Sequence, residues 1–305
     1  MVADLSVLAI TGGTGFVGRA TIERALAAGH TVRALTRRPQ SEREGLEWIA
    51  GDLSDDTSLE RLVADSDAVI HVAGVVSASD PALFEAANVR GAYSLARAAE
   101  QAGPERLVLV SSLAAREPDL SLYGRSKKRG EDVVRASGLD CSIVRPPAVY
   151  GPHDTEMFEL FRAAKKRVLP MPPQGRTSVI HVDDLASLLL TLAGQRGDDR
   201  IYEPDDGRAQ GWEHGELARA IAAAVGRKAF VPRVPGRLLS LAARGDRMLR
   251  GDKAKLTPDR VGYMVHPDWV ARPDRRPPPE LWQPQIDTYE GLAATARWYE
   301  AQGWL

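Results

Sequence analysis

Tyr123 and Lys127 are the side chains in this sequence best suited to acid–base chemistry. Their spacing of four residues places both on one face of a helix. A phenol with a pKa of about 10 is a poor proton donor or acceptor at neutral pH unless its phenolate is stabilised. The ammonium of Lys127 would supply that stabilisation. The pair therefore predicts a site that moves a proton to or from a substrate oxygen.

The adjacent serines Ser111 and Ser112 offer the hydroxyl group that such chemistry needs to hold the oxygen. They end an apolar run that reads as a strand, and parallel sheets place ligand sites at the carboxyl ends of their strands. We predict Ser112 as the catalytic serine and keep Ser111 as the alternative. Tyrosine and lysine at this spacing also occur by chance on surface helices, so the prediction depends on a cofactor loop elsewhere in the chain.

A glycine-rich loop follows the apolar run Val7 to Ile10 and leads into a helical stretch. Gly12 permits a tight turn, Gly15 lets the backbone approach a pyrophosphate, and Gly18 lets the helix lie close to the sheet. The amides at the helix N-terminus would bind the phosphates. This order of strand, loop and helix predicts dinucleotide binding. The predicted cofactor-binding residues of the loop are Gly12, Thr14, Gly15, Phe16, Val17 and Gly18.

The end of the second predicted strand bears on the choice between NAD and NADP. Proteins that prefer NAD hold an acidic side chain about 20 residues after the loop, whereas this chain has Thr36-Arg37-Arg38. A guanidinium binds a 2′-phosphate through charge-assisted hydrogen bonds. We therefore predict that NADP(H) is preferred and is held by Arg37, with NAD(H) as the second choice. The alternative is that both arginines are solvated surface charges.

Asp52 and Leu53 come directly after the third predicted strand. At that place they are predicted to lie beside the adenine ring at the edge of the cofactor site. An ordinary turn or helix cap explains Asp52 equally well.

Short apolar runs alternate with alanine-rich stretches from residue 5 to about 145, which is typical of a parallel α/β sheet. The predicted strands are Val7–Thr11, Thr31–Thr36, Leu46–Ala50, Ala68–Val72, Arg106–Ser111 and Cys141–Arg145, and the predicted helices are Phe16–Ala28, Ser58–Val63, Phe84–Ala102 and Tyr123–Ala136. Proline and glycine punctuate the chain after Pro146. We predict an α/β fold with a Rossmann-type doubly wound core over residues 1–150. Residues 151–305 would form a mixed region, with core elements returning at about 177–194 and a small substrate-binding lid.

The composition limits the classes of partner and metal. Forty Lys and Arg residues face 41 Asp and Glu residues, so no general field attracts nucleic acid or an anionic membrane. The single cysteine, Cys141, excludes a disulfide framework, and the six histidines lack metal-ligand spacing, so no metal is predicted. No apolar stretch approaches the roughly 18 residues of a membrane span. We expect a cytoplasmic protein whose partner is a small molecule.

Further motifs occur in a fixed order along the chain. They are TGGTGFVG from Thr11, the pair Asn88-Val89, VSS from Val110, YGRSK from Tyr123 followed by Glu131, RPPAVYGP from Arg145 and HVDDLA from His181. Together they resemble the extended or atypical short-chain dehydrogenase/reductase superfamily, the group of NAD-dependent epimerases and dehydratases. The resemblance covers residues 5 to 195.

The resemblance implies a role for each matching residue. Tyr123 would be the general acid/base and would also contact the cofactor, Lys127 would lower its pKa and bind the nicotinamide ribose, and Ser112 would orient the substrate oxygen. Asn88 would hold the central strand or a proton-relay water, although a plain surface amide explains it too. Four further residues would contact the cofactor: Ala73, Gly74, Pro146 and Val149. The helices Phe84–Ala102 and Tyr123–Ala136 would pair between subunits of a homodimer.

These features favour an NADP-dependent reductase or dehydrogenase that interconverts a carbonyl and an alcohol on a small or medium organic substrate. A second hypothesis is an epimerase or dehydratase that retains NAD(P). Only ten residues, Leu113 to Leu122, separate Ser112 from Tyr123, fewer than in nucleotide-sugar epimerases, which argues against it. A third is a non-catalytic NADP-binding module that resembles the accessory subunit of respiratory complex I. The presence of Tyr123 and Lys127 argues against that module.

Overall fold

Seven parallel strands form the main sheet of the computed structural model, which describes residues 6–78, 80–104, 106–195, 199–251 and 256–305. The strands along the chain are β1 (Val7–Thr11), β2 (Thr31–Thr36), β3 (Leu46–Ala50), β4 (Ala68–His71), β5 (Arg106–Val110), β6 (Cys141–Val144), β7 (Ala148–Tyr150), β8 (Arg176–Thr177), β9 (Val179–His181), β10 (Ile201–Tyr202), β11 (Trp212–Glu213) and β12 (Asp268–Trp269). The main sheet has the order β10-β6-β5-β4-β1-β2-β3. Its direction of winding reverses between β1 and β4, where doubly wound sheets bind their ligands.

The helices of the described residues are α1 (Phe16–Ala27), α2 (Asp56–Val63), α3 (Pro81–Phe84), α4 (Gly91–Ala102), α5 (Leu122–Ala136), α6 (Phe158–Lys165), α7 (Val182–Ala193), α8 (His214–Ala224), α9 (Gly236–Arg250), α10 (Pro258–Met264) and α11 (Thr288–Ala301). Short 3₁₀ turns occur at Leu113–Arg116, Pro118–Leu120 and Pro273–Arg275. None of the helices in the described ranges is long and apolar enough to cross a membrane.

The chain divides into two compact units. The first contains the residues up to Arg145 together with Leu185–Tyr202, and the second contains Pro146–Asp184 and Glu203–Leu305. The returning segment thus begins at Leu185 and not near residue 177. The reason is that β9 pairs with β7 in a separate two-stranded sheet, whereas β10 adds to the edge of the main sheet beside β6.

The central strands of the first unit consist mainly of apolar residues because both faces of the sheet are covered. Every residue of β4, β5 and β6 is buried. One side of the sheet packs against α2 and α4, whose leucines and alanines lie in the same core cluster as Val69, Leu107 and Ile143. This packing fixes the carboxyl ends of β1, β4 and β5.

One continuous helical segment runs from Pro81 to Ala102, because α3 and α4 are joined by a π-helical turn at Glu85–Arg90. Asp80 caps its start by accepting a hydrogen bond from the amide of Ala82 at 2.8 Å. The segment ends at Gly103, whose φ of 73° is left-handed and ends a helix without steric cost in glycine. π turns are rare and occur mostly at functional sites.

The second unit has its own apolar core and two small sheets. The strands β11, β8 and β12 form a three-stranded sheet, and β7 pairs with β9. Helices α6, α8 and α11 contribute to a core that includes Tyr150, Phe161 and Tyr299, each fully buried. Helix α9 packs against α10.

Candidate functional site

The glycine loop between β1 and α1 has a shape that larger residues could not adopt. Gly12 has a left-handed φ of 72°, and a Cβ there would lie 2.7 Å from the amide nitrogen of Ala73. A Cβ on Gly18 would lie 2.1 Å from the carbonyl oxygen of Gly12. The loop closes on itself where the amide of Gly15 donates to that same oxygen at 2.9 Å. The loop therefore packs against the residues that follow β4.

The N-terminus of α1 is open to an anion. Gly15 is its cap residue, no side-chain cap hydrogen bond is made to it within the described part of the chain, and its first turn has no acidic residue. Helices α2, α5 and α11, in contrast, are capped by the side chains of Asp55, Ser121 and Asp287. Free amides and the positive end of the helix dipole are suited to a pyrophosphate. The loop and the helix end thus fit a dinucleotide.

Arg37 lies exposed just beyond β2. The hydroxyl of Thr36 donates to the carbonyl of Arg38 at 2.6 Å and accepts from its amide at 3.3 Å, which turns the chain around Arg37. The pKa of Asp52 is below its ordinary value because Ser54 donates two hydrogen bonds to the carboxylate, and the Arg37 guanidinium lowers it further. Arg37 is therefore a solvent-accessible cation close to the end of β3.

Asp52 and Leu53 have clear structural contacts of their own. The Asp52 carboxylate accepts from the amide of Ser54 at 2.8 Å and from its hydroxyl at 2.6 Å, so it forms a turn. Leu53 packs against α4, where a Cβ on Gly91 would lie 2.6 Å from Cδ1 of Leu53. Their contact with an adenine ring stays a prediction.

A cleft of about 250 Å³ lies beside the glycine loop and is lined by Thr14, Arg19, Arg43 and Trp48 among others. Arg43 is held by Glu23, with Nη2 and Oε2 2.8 Å apart. Arg19 is exposed directly after Gly18. Sequence reasoning missed the cleft because it forms only when the β2–β3 loop lies beside α1. The position of Arg19 next to the loop glycines was the one available signal.

Lys127 is buried in α5 and reaches the end of β5. Its Nζ donates to the carbonyl oxygen of Val110 at 2.7 Å. A Cβ on Gly74 would lie 3.5 Å from the same Nζ, so the ends of β4 and β5 meet at this ammonium. Burial lowers the pKa of Lys127 to about 8, against the opposing influence of Glu131.

The hydroxyls of Ser111 and Ser112 have different surroundings. Ser111 is buried, and its Oγ donates to Oε1 of Glu131 at 2.5 Å. Glu131 also forms a buried ion pair with Arg145, with nitrogen to oxygen distances of 2.7 and 2.6 Å. Ser112 is half-buried, accepts from the amide of Ala114 at 3.1 Å and, among the described residues, donates to no acceptor. The geometry favours Ser112 over Ser111 as a hydroxyl available to substrate.

Tyr123 lies in the first turn of α5, half-buried, with its ring centroid 6.3 Å from that of Phe84. Ser121 caps the helix by accepting from the amide of Gly124 at 2.9 Å. The helix therefore begins at Leu122, and both Tyr123 and Lys127 belong to it, as their spacing predicted.

Asn88 lies in the π turn and is buried. Its amide group pairs with both backbone groups of Val75, at 2.8 and 2.9 Å, and donates to Oγ of Ser126 at 2.9 Å. Asn88 thus holds the loop after β4 against α5, and not the strand itself. Sequence reasoning gave Ser126 no role. Its position one residue before Lys127 was the only signal for it.

His71, at the end of β4, stays neutral at ordinary pH. It is fully buried, its Nδ1 lies 2.6 Å from the hydroxyl of Thr11, and that hydroxyl also accepts from the amide of Ala73 at 3.2 Å. Burial, with a smaller contribution from the Lys127 charge, lowers the pKa of His71 to about 3. The neutral His71 thus supports the bottom of the candidate site, at the end of β4, without adding a charge to it.

Two predicted residues lie in the second unit. Pro146 is buried, and Val149 is half-buried in β7. Their contact with a nicotinamide ring stays a prediction. Within the described ranges, no three or more His, Cys, Asp or Glu side chains form a group that could hold a metal ion.

Comparison with known families decides the classification. The model of the NAD-dependent epimerase/dehydratase family matches residues 8–203, which is more than half of the chain. The chain belongs to this family. It is therefore an NAD(P)-dependent enzyme with a Rossmann-type α/β fold, as the ordered motifs predicted.

The chain is also similar to two named relatives and to one solved structure. It is 38% identical over 308 residues to the ceramide reductase of Caulobacter vibrioides, across 98% of this chain and 96% of that protein. It is 30% identical to a ketoreductase of Stigmatella aurantiaca that acts on a farnesyl-bearing dihydroquinoline oxide, across 65% of this chain and 67% of that one. Its fold matches Bordetella bronchiseptica WbmH in complex with NAD⁺, with a TM-score of 0.74, 20% identity and coverage of 98% and 99%.

Proposed function

We propose that this protein is an NADPH-dependent reductase of a lipid in the ceramide class. A ceramide carries a secondary alcohol and an amide. Because amide carbonyls resist hydride, an enzyme of this type would interconvert the alcohol with the corresponding ketone. The substrate would thus be an N-acyl amino ketone with long hydrocarbon chains. We expect the enzyme to act in the cytoplasm, where its lone cysteine stays reduced.

The near-full-length similarity to a ceramide reductase carries this proposal. The similarity extends over 98% of the chain and so includes the second unit. Loops and lids outside a common core usually decide which substrate an enzyme accepts, so similarity there bears on the substrate. The Stigmatella ketoreductase also acts on a molecule with a long apolar chain.

The chain's own residues would handle the proton and the substrate oxygen. A bound nicotinamide cofactor would supply the hydride. Ser112 would donate a hydrogen bond to the substrate carbonyl, and Tyr123 would deliver the proton to the oxygen as the alcohol forms. Lys127 would favour the phenolate that remains. The hydrogen bonds of Asn88 to Val75 and Ser126 would keep the loop after β4 and the start of α5 in place.

The NADP preference would rest on Arg37, whose exposed guanidinium lies beyond β2. Replacing Arg37 by alanine should weaken NADPH binding by about tenfold to a hundredfold, the range of a lost charge-assisted pair, and leave NADH binding unchanged. Calorimetric titration of both cofactors measures this. Arg24→Ala, which removes an exposed charge from the far end of α1, is the matched control. Tighter NADH binding by the unchanged protein would overturn the preference.

The catalytic assignment is tested with Tyr123→Phe. We expect NADPH affinity to stay within twofold and ketone reduction to fall by about a hundredfold or more, because the proton donor is lost. An epimerase or dehydratase that retains its cofactor would consume no NADPH with any ketone. A non-catalytic module would bind NADPH and have no turnover to lose. Either result would overturn the reductase.

A further inference from the structure

Helix α9 exposes an apolar face to solvent. Leu238, Leu241, Met248 and Leu249 are exposed by 54%, 60%, 88% and 88%. Together with the exposed Ala242 they follow the spacing i, i+3, i+4, i+10 and i+11, which places them on one stripe of the helix. Single exposed apolar residues are ordinary, whereas several large ones on one stripe of a helix are typical of an interaction site.

The opposite face of α9 already packs inside the protein. Ala243 is fully buried and Leu239 is half-buried. Helix α9 also contacts α10. The exposed leucines and Met248 are thus not needed to pack α9 against the rest of the protein. Their exposure is not the edge of an apolar core, because they lie on the side away from it.

Positive charge borders the apolar stripe. Arg237 and Arg244 are seven residues apart, on one side of the stripe, and both are exposed. Within the described part of the chain neither forms an ion pair or hydrogen bond. The α9 sequence has four arginines and one aspartate, a net charge of +3, although the whole chain has a charge of −1. Apolar side chains bordered by arginines are typical of helices that lie in the surface of an anionic membrane.

We propose that α9 docks this enzyme on the surface of a membrane with anionic lipids. The stripe of Leu238, Leu241, Met248 and Leu249 would enter the boundary of headgroups and acyl chains, and the arginines would contact phosphate groups. The net charge of the chain led to the expectation that no membrane is a partner. Docking through α9 would make that expectation wrong at this one surface. The docking surface rests on α9 alone, whereas its use rests on the proposed function, because a two-chain lipid substrate resides in the bilayer.

Charge complementarity favours a membrane over a second copy of this chain. In a twofold symmetric contact through this stripe, two α9 helices that each carry a net charge of +3 would be brought together. Docking on an anionic bilayer brings no such repulsion between positive charges. Self-association is therefore an outcome of the test and not part of the proposal.

Co-sedimentation with vesicles tests the docking. The full-length protein should bind vesicles of phosphatidylcholine with 30% phosphatidylglycerol in 0.1 M salt, and should bind pure phosphatidylcholine about tenfold more weakly. Met248→Glu/Leu249→Glu should lose binding to both. Arg237→Gln/Arg244→Gln should lose the preference for anionic vesicles, because each arginine near the surface strengthens binding severalfold.

Leu83→Glu/Tyr93→Glu is the matched control, since it places two charges at sites exposed by 49% and 51% in the first unit. It should bind vesicles like the unchanged protein. Equal binding by the unchanged protein and Met248→Glu/Leu249→Glu would overturn the proposal. A second result would also overturn it: the unchanged protein is a stable dimer by sedimentation velocity, Met248→Glu/Leu249→Glu is a monomer, and neither protein binds vesicles.

Activity separates this inference from the proposed function. Met248→Glu/Leu249→Glu should reduce a water-soluble short-chain N-acyl amino ketone at the normal rate and lose about tenfold with the long-chain ketone in anionic vesicles. Vesicle binding without reduction of either ketone would refute the proposed function and leave the docking intact. Normal reduction of both ketones by the variant would refute the use of α9 in reaching a membrane-bound substrate.

Discussion

At the scale of single residues, the neighbours Ser111 and Ser112 should respond differently to the same substitution. Ser112→Ala removes a hydroxyl that is available to substrate, so kcat should fall about tenfold to a hundredfold with little change in Tm. Ser111→Ala removes one of three buried hydrogen bonds to the Glu131 carboxylate, and a hydrogen bond to a charged group is typically worth about 1.5–3 kcal/mol of stability. Its kcat should stay within a few fold. Steady-state kinetics and thermal unfolding of both variants measure this, and the reverse pattern would assign the role to Ser111.

Lys127 gives the reduction a pH dependence. Its pKa is lowered to about 8 by burial, so the ammonium is charged below that pH and neutral above it. If the charge favours the tyrosine phenolate, kcat/KM for reduction should fall as pH rises through about 8. The profile between pH 6 and 10 shows this. Lys127→Met should have a low rate that lacks the decline, and an unchanged decline in that variant would contradict the role.

Among the elements, α5 depends on a close approach to the π turn. A Cβ on Gly130 would lie 2.3 Å from the carbonyl oxygen of Asn88, so Gly130→Ala must push the two apart. We expect a loss of about 1–3 kcal/mol, typical of overpacking, and lower turnover because α5 carries Tyr123 and Lys127. Urea unfolding and kcat measure the two effects.

Gly245 provides the control for that substitution, because a Cβ there would meet, outside its own helix backbone and its chain neighbours, no heavy atom of the described residues within 4 Å. Gly245→Ala in α9 should gain up to about 1 kcal/mol from helix propensity alone. Destabilisation of similar size in both variants would mean that contact with Asn88 is not the cause.

Elements of the first unit could be predicted to within a few residues, whereas in the second unit the helical patterns of α8 and α11 were the ones visible in the sequence. Strands such as β1 and β2 are apolar runs between glycines or turns, so their bounds are visible in the sequence. The π turn is not visible, because no residue type marks an extra residue per turn. Helix α9 was not predicted, because the prolines and glycine of VPRVPG, which leads into it, are typical of irregular chain. The partners of Asn88 lie 13 and 38 residues away, which no local pattern shows.

For the whole molecule, His71 should make stability depend on acid. Its pKa is about 3 when folded and about 6.5 when unfolded, so the unfolded chain binds a proton that the folded chain does not. Stability is therefore lost as pH falls from about 6.5 towards 3, by up to about 1.4 kcal/mol per pH unit. Urea unfolding at pH 7.5 and 5 should show a loss that His71→Gln reduces.

Asp154 provides a control, because its titration changes the stability of the fold with pH in the opposite direction to that of His71. Burial raises the pKa of its carboxyl to about 6, so the folded chain holds a proton more tightly than the unfolded chain. Its contribution to stability is present at low pH and is lost as pH rises towards 6. Asp154→Asn keeps one carbonyl oxygen, which can accept from the amide of Glu156 or of Met157 but not from both. Because it removes the titrating carboxyl, it should make the acid loss of stability steeper. A flatter profile in this variant would contradict the assigned pKa.

The π turn at Glu85–Arg90 also makes the geometry of the site depend on one extra residue in this helical segment. It holds one residue more than an α-helix needs, and each residue of an α-helix accounts for about 100° of rotation. Deleting one residue before Asn88 would leave a regular and intrinsically better helix from Pro81 to Ala102. That repair would turn the asparagine away from Val75 and Ser126. A single-codon deletion here should thus give a chain that folds and binds cofactor yet turns over poorly.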